Sequence, residues 1–235
     1  MNIMILNIDK NSKMADLIIN NQQVLYMLER FNIPLGFKDY TLEDLANMHK
    51  IDTNALLVIT QLIVNNESNA EICTKKSIQD ILHFLKNSHE SFRDKIVAIK
   101  DLIDEFSKDI SGNYDIVLNS FYNEYIEEIE EHFAFEESYV FKYIKNLYEG
   151  IEKESSNTVK SISDFESNHS DTEIKLKDLK NILIKYIPAN IKSKYRNKIL
   201  YRLYDLEPDL FLHSKIEDRI LIPLVKQIEK GNLNI

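Results

Sequence analysis

Four glycines, four prolines, one cysteine and no tryptophan in 235 residues leave little of what a sheet-rich or disulfide-stapled protein is built from. Tight turns between strands draw on glycine and proline, so their scarcity beside abundant Ile, Leu, Glu and Lys predicts a chain that is nearly all helix. A lone thiol, Cys73, cannot close an intramolecular disulfide and suits a reducing interior. No apolar run approaches the ~20 residues of a membrane span, and the opening residues 1–11 have neither the basic lead-in nor the apolar length of a signal peptide. A soluble, cytoplasmic protein with no membrane partner is expected. Basic residues are also in short supply. With 29 Lys and Arg against 38 Asp and Glu, the net charge is −9, and no basic stretch is segregated from the rest, which argues against a nucleic-acid partner.

What is present is apolar and periodic. A hydrophobic content of 44% is enough to bury a core, and the length suits one bundle plus a smaller appendage. Residues 14–31 repeat apolar positions at helical spacing up to the breaker Asn32-Ile33-Pro34-Leu35-Gly36. Thr41, followed by Asp44, reads as the N-cap of a short helix to about Lys50, and Asp52 caps another to about Asn65. These make a small three-helix N-terminal unit over 1–66. A polar stretch over 67–76 reads as a linker. Over 77–235, helices are expected at about 77–109, 114–149, 157–186 and 194–231, separated by Ser111-Gly112-Asn113, Gly150 and Pro188-Ala189-Asn190. Four long helices with short connections predict an all-α, up-down-up-down four-helix bundle.

Within this frame one pattern recurs. His132 and Glu136 on the second long helix are matched by His213 and Glu217 on the fourth, each pair followed by an apolar stretch. Four residues of spacing put both side chains on one helix face. A single such pair is weak in a Glu-rich helical chain. Here the other two long helices each carry one candidate, His89 and His169, so every helix offers a ligand and four of six histidines are used. His89 and His169 both lie about 12 residues into their helices, and His132 and His213 about 18 and 19 into the antiparallel pair, which sets all of them at one depth. Four imidazoles and two carboxylates exceed one tetrahedral zinc, and no cysteine joins them. Two ions fit better, iron or manganese by ligand type, with Glu136 and Glu217 bridging and two His terminal on each. No catalytic residue beyond these ligands stands out. Glu128, one turn before His132, reads first as a solvated charge and second as a group that orients His132 or passes protons. His83, six residues before His89, reads as a packed neighbour of the ligands, and His49 as surface. Phe133, Phe135, Phe141 and Tyr143 read as core, with Tyr139 or Tyr143 as candidate redox neighbours.

At these residues the chain resembles the iron-centre repair family, hemerythrin-like di-iron proteins associated with mending iron–sulfur clusters after nitrosative and oxidative stress. The resemblance rests on Ser88-His89, His132 to Glu136 with Glu137, Asn168-His169, and His213 to Glu217 with Ile222-Pro223. The segments Val24–Phe31, Asn32-Ile33, Thr41–Leu45 and Ile51-Asp52 are similar to that family's leading domain. It departs where the family carries adjacent cysteines, since Leu35-Gly36 stands there, and where Asn168 replaces an acid. Pro208 predicts a kink five residues before His213. The resemblance implies two iron ions with oxo or hydroxo and carboxylate bridges, ahead of manganese or zinc. It also implies a diatomic or peroxide ligand, and an iron–sulfur client protein. A sensor or iron store is the alternative to a stress-protective reaction or iron donation. The apolar first helix has three candidate seats: the bundle, a second copy in a homodimer, or a client.

Overall fold

The structure, a computed structural model, describes residues 6–68, 74–110, 113–151, 161–162, 172–191 and 194–231; Cys73, Asn168 and His169 fall outside them. Regular structure among the described residues is helical, apart from an isolated bridge between Lys13 and Thr41. None of these helices is long and apolar enough to cross a membrane.

The N-terminal unit holds α1 (Met14–Asn20), α2 (Val24–Arg30), α3 (Leu42–His49) and α4 (Thr53–Asn65). The single helix expected over 14–31 is therefore two. Asn21 breaks it by adopting an extended backbone (φ −148°), and its side chain serves both sides of the break. Its amide donates to the Ile63 carbonyl of α4 at 3.1 Å, and its oxygen accepts from the Gln23 N–H at 2.9 Å. Short polar side chains that bond locally to backbone compete with helix continuation in this way. The predicted starts of α3 and α4 hold. Thr41 and Asp44 exchange bonds as a capping box, and the Asp52 carboxylate accepts from the Asn54 and Ala55 N–H groups.

The bundle begins with α5 (Lys75–Ser107), capped by Thr74. Its second helix is α6 (Tyr114–Phe135), a π turn π1 (Glu136–Val140) and α7 (Phe141–Glu149), ended by Gly150 at φ +69°. Left-handed backbone after a last helical turn favours glycine. Then come α8 (Thr172–Asn181) with π2 (Ile182–Tyr186), and α9 (Lys194–Ile216), π3 (Glu217–Leu221) and α10 (Ile222–Glu229). Helix α9 runs through Pro208 without interruption. Each long helix packs on its sequence neighbours, and α5 closes the ring against α9.

Two apolar clusters fill the interior. One joins the N-terminal unit to the start of α5, to α7 and to α10; the other fills the opposite half between α5, α6, α8 and α9. Leu85, Val140 and Leu212 belong to the first, and Phe92, Phe133 and Leu210 to the second. The layer between them carries His89, His132, Glu136, His213 and Glu217. The apolar face of α2 takes the first of its three candidate seats, lying against α5 and sharing the core of the bundle.

The turn from π2 to α9 is closed by Arg196, whose guanidinium donates to the carbonyls of Leu183 (2.7 Å), Ile187 (2.8 Å) and Pro188 (3.3 Å). These carbonyls belong to a helix end that leaves acceptors without helical partners. Arg196→Met should lower stability by about 2 kcal/mol, the scale of charged hydrogen bonds lost from half-buried acceptors. Urea unfolding measures this, and an unchanged midpoint would remove Arg196 as the closing element.

Candidate metal centre

Glu136 is the shared member of the cluster. Its side chain has no exposed surface, and its two oxygens face different imidazoles. Oε1 lies 3.0 Å from His132 Nε2, while Oε2 lies 3.0 Å from His89 Nε2 and 3.9 Å from His213 Nε2. Glu217, equally buried, approaches His213 Nε2 at 3.4 Å. His89 Nε2 and His213 Nε2 are 3.2 Å apart. Three bundle helices thus deliver five side chains to one point. His89 comes from α5, His132 and Glu136 from the end of α6 and the start of π1, and His213 and Glu217 from the end of α9 and the start of π3. His169, the sixth predicted residue, lies outside the described residues.

Two triads have ligand atoms all within 4.8 Å of one another: His89, Glu136 and His213, and His132, Glu136 and Glu217. Such spacing suits donors about 2.0–2.2 Å from a common ion. The imidazole nitrogens are at hydrogen-bond distance from Glu136, yet neither carboxylate oxygen has a well-aligned hydrogen-bond donor. Two buried carboxylates need positive charge, and an ion on the line of the nitrogen lone pairs would supply it. The donor set therefore fits metal. The same demand for positive charge sets the direction in which these groups are shifted. Burial opposes ionisation of Glu136, but the neighbouring imidazoles of His132, His213 and His89 hold its carboxyl well below the usual range. Burial alone would depress His213. Attraction to Glu217 and hydrogen bonds to Glu136 and Glu217 instead raise it to about 10.

The surroundings fix these side chains in place. His89 Nδ1 lies 2.9 Å from Glu137 Oε1, and that oxygen also accepts from Arg93 at 3.1 Å. Burial pushes the Glu137 carboxyl up, but the His89 hydrogen bond and the Arg93 charge outweigh it and keep it below its ordinary value. An ionised acceptor places the proton on Nδ1 and leaves the Nε2 lone pair facing Glu136 and His213. Phe133 stacks on the His89 ring at 4.1 Å and 13°, and Phe141 at 5.8 Å and 12°. Phe92 meets His213 edge-on at 5.4 Å. Thus Phe133 and Phe141 pack the imidazole as well as the core. The π turns begin on the two glutamates, closed by the Phe141 N–H to the Glu136 carbonyl and the Ile222 N–H to the Glu217 carbonyl. Such turns recur at functional sites, although π2 holds none of the predicted residues.

Two expected neighbours point elsewhere. Glu128 is exposed and forms an ion pair with Lys175. His83 is exposed and meets Asn87 at 3.0 Å. Tyr143 donates to Glu229, and Tyr139 is half exposed against Phe135. Glu137 stands in the motif on which the resemblance rests, but its contacts with His89 and Arg93 were not legible in the sequence.

Residues 80–225, more than half of the chain, match the hemerythrin HHE cation binding domain. The chain is also similar to the iron-sulfur cluster repair protein ScdA of Staphylococcus haemolyticus, with 23% identity over 176 residues, covering 73% of this chain and 78% of that protein. No solved structure matches. The chain belongs to the hemerythrin HHE cation-binding family, and its helical bundle carries groups of His and Glu that could hold a metal ion.

Proposed function

We propose that the centre holds two iron ions and serves in the protection or repair of iron centres under nitrosative or oxidative stress. The observation that carries this is that the two oxygens of the Glu136 carboxylate face different imidazoles, His132 on one side and His89 with His213 on the other. His89 and His213 on one side of Glu136 and His132 on the other would hold the metal, with His169 a further ligand expected from the sequence alone. Glu217, grouped with His132 and Glu136 and 3.4 Å from His213, would be a further ligand. When bound, the irons would supply redox and Lewis-acid chemistry toward nitric oxide, oxygen or peroxide, or would themselves be donated to a damaged cluster. The chain's own residues do the rest. Phe92, Phe133 and Phe141 exclude water from His89 and His213, and Glu137 holds the His89 proton on Nδ1. An iron–sulfur client is supported by similarity to a repair protein. We divide the chain into an N-terminal unit (1–66), a linker (67–76) and the metal-binding bundle (77–235).

A second use of the same centre, sensing or storage, is favoured by one feature. The N-terminal unit lies against the helices that carry His89 and His213 and lacks the family's paired cysteines, with Leu35-Gly36 in their place. A sensor binds its ligand once, whereas a protective enzyme turns over.

Two measurements follow. Protein from iron-supplemented cells should contain about two irons per chain, as expected of dimetal carboxylate bundles. Glu136→Gln should lose most of both, while His49→Ala keeps them; elemental analysis decides, and full iron in Glu136→Gln would remove the bridge. Anaerobic nitric oxide or peroxide consumption with excess reductant should exceed many equivalents per chain for a protective reaction. Uptake that stops near one equivalent per centre assigns the protein to sensing.

A further inference from the structure

Arg30 is among the largest fully buried side chains of the molecule, 1% exposed, and it leaves the N-terminal unit to enter the bundle. Its Nη2 donates to Asp209 Oδ2 at 2.6 Å, and Asp209 also accepts from Lys95 at 2.8 Å. Asp209 stands four residues before His213 on α9, so the two share a helix face one turn apart. The Arg30 guanidinium also lies 5.6 Å from the centre of the Phe92 ring, the ring that His213 meets edge-on.

Helix α2 grips α5 on both sides of His89. The Asn87 amide donates to the Arg30 carbonyl at 2.6 Å, and the Ser91 hydroxyl donates to Glu29 at 2.9 Å. Tyr26 donates to Asp205 on α9 at 3.1 Å. The polar seam therefore runs beside two members of one triad, His89 and His213. We infer that Arg30 is a positioning residue of the metal centre, and that docking of α2 sets His213 through Asp209 and Phe92.

A wish for stability alone explains this seam poorly. A buried ion pair gives up the hydration of both charges, and apolar residues of similar volume dock helices at least as well. The Arg30 Nε is buried without a hydrogen-bond partner, and burial pushes the Asp209 carboxyl up despite the opposing charges of Arg30 and Lys95. What such a pair provides is one fixed geometry, here one turn from His213. Partners that orient metal ligands from outside typically affect affinity 10–100-fold.

The inference rests on the metal-centre reading for its consequence but not for its geometry, so both forms of the full chain are needed. In metal-free protein with labelled histidines, Arg30→Met should shift the His213 ring signals and leave those of His132 in place. The doubly apolar variant Arg30→Met/Asp209→Leu, designed to keep α2 docked, should do the same, and Arg30→Lys should restore most of the original position. In iron-loaded protein the two apolar variants should release iron to a chelator roughly tenfold faster. Unchanged His213 signals and release rates in the doubly apolar variant, with α2 amides still protected from exchange, would overturn the inference. A wild-type chain that takes up no metal but whose His213 responds to Arg30 would support the positioning role and remove the metal reading.

Discussion

Keeping the Glu136 carboxylate ionised with no surface in contact with water is the constraint on which the rest of the bundle depends. Its two oxygens are met at 3.0 Å by imidazoles from two different helices, and a third imidazole stands 3.9 Å away. A buried charge of this kind is tolerated only when opposite charge or a metal is brought to it. The chain brings both a second carboxylate, Glu217, and the nitrogen donors that a cation would need. Burial alone would depress His213, but Glu217 and Glu136 push it above its ordinary value instead.

The apolar core is divided to make room for this layer. One cluster secures the N-terminal unit and the ends of α7 and α10, the other the distal half of the bundle, and the candidate ligands lie where the two meet. The aromatic residues at the boundary have a double use, filling space and fixing ring planes. Phe133 and Phe141 hold His89, while Phe92 touches both His213 and the guanidinium that arrives from α2. Packing and polar chemistry are therefore not separable at this level of the molecule, and the N-terminal unit forms part of its wall.

Much of this was written in short-range sequence signals. The four-residue spacing of His132 with Glu136 and of His213 with Glu217 fixes a common face, and counting from helix ends set the residues at one depth. Five of the six predicted residues fall in the described part of the structure, and all five converge. Thr41, Asp52 and Gly150 marked helix ends because caps act locally. The break at Asn21 was hidden because apolar periodicity continues across it, and the carbonyl that receives its side chain lies on α4, 42 residues away. Partners of the candidate ligands were hidden for the same reason. Glu137 reaches His89 across 48 residues and Arg30 reaches Asp209 across 179, distances over which pattern carries no information. The π turns leave no local mark in the sequence, since the residues that form them are ordinary helix formers.

The central claim is that Glu136 joins two metal ions in one centre. X-ray absorption at the iron edge of the loaded protein tests it most directly, by resolving whether each iron has a second iron as a neighbour. The account predicts an iron–iron vector in the range of paired metal sites, about 3–4 Å, with a mixed nitrogen and oxygen coordination shell. Iron coordinated by nitrogen and oxygen with no metal neighbour would contradict it, leaving a mononuclear site and no bridging role for Glu136.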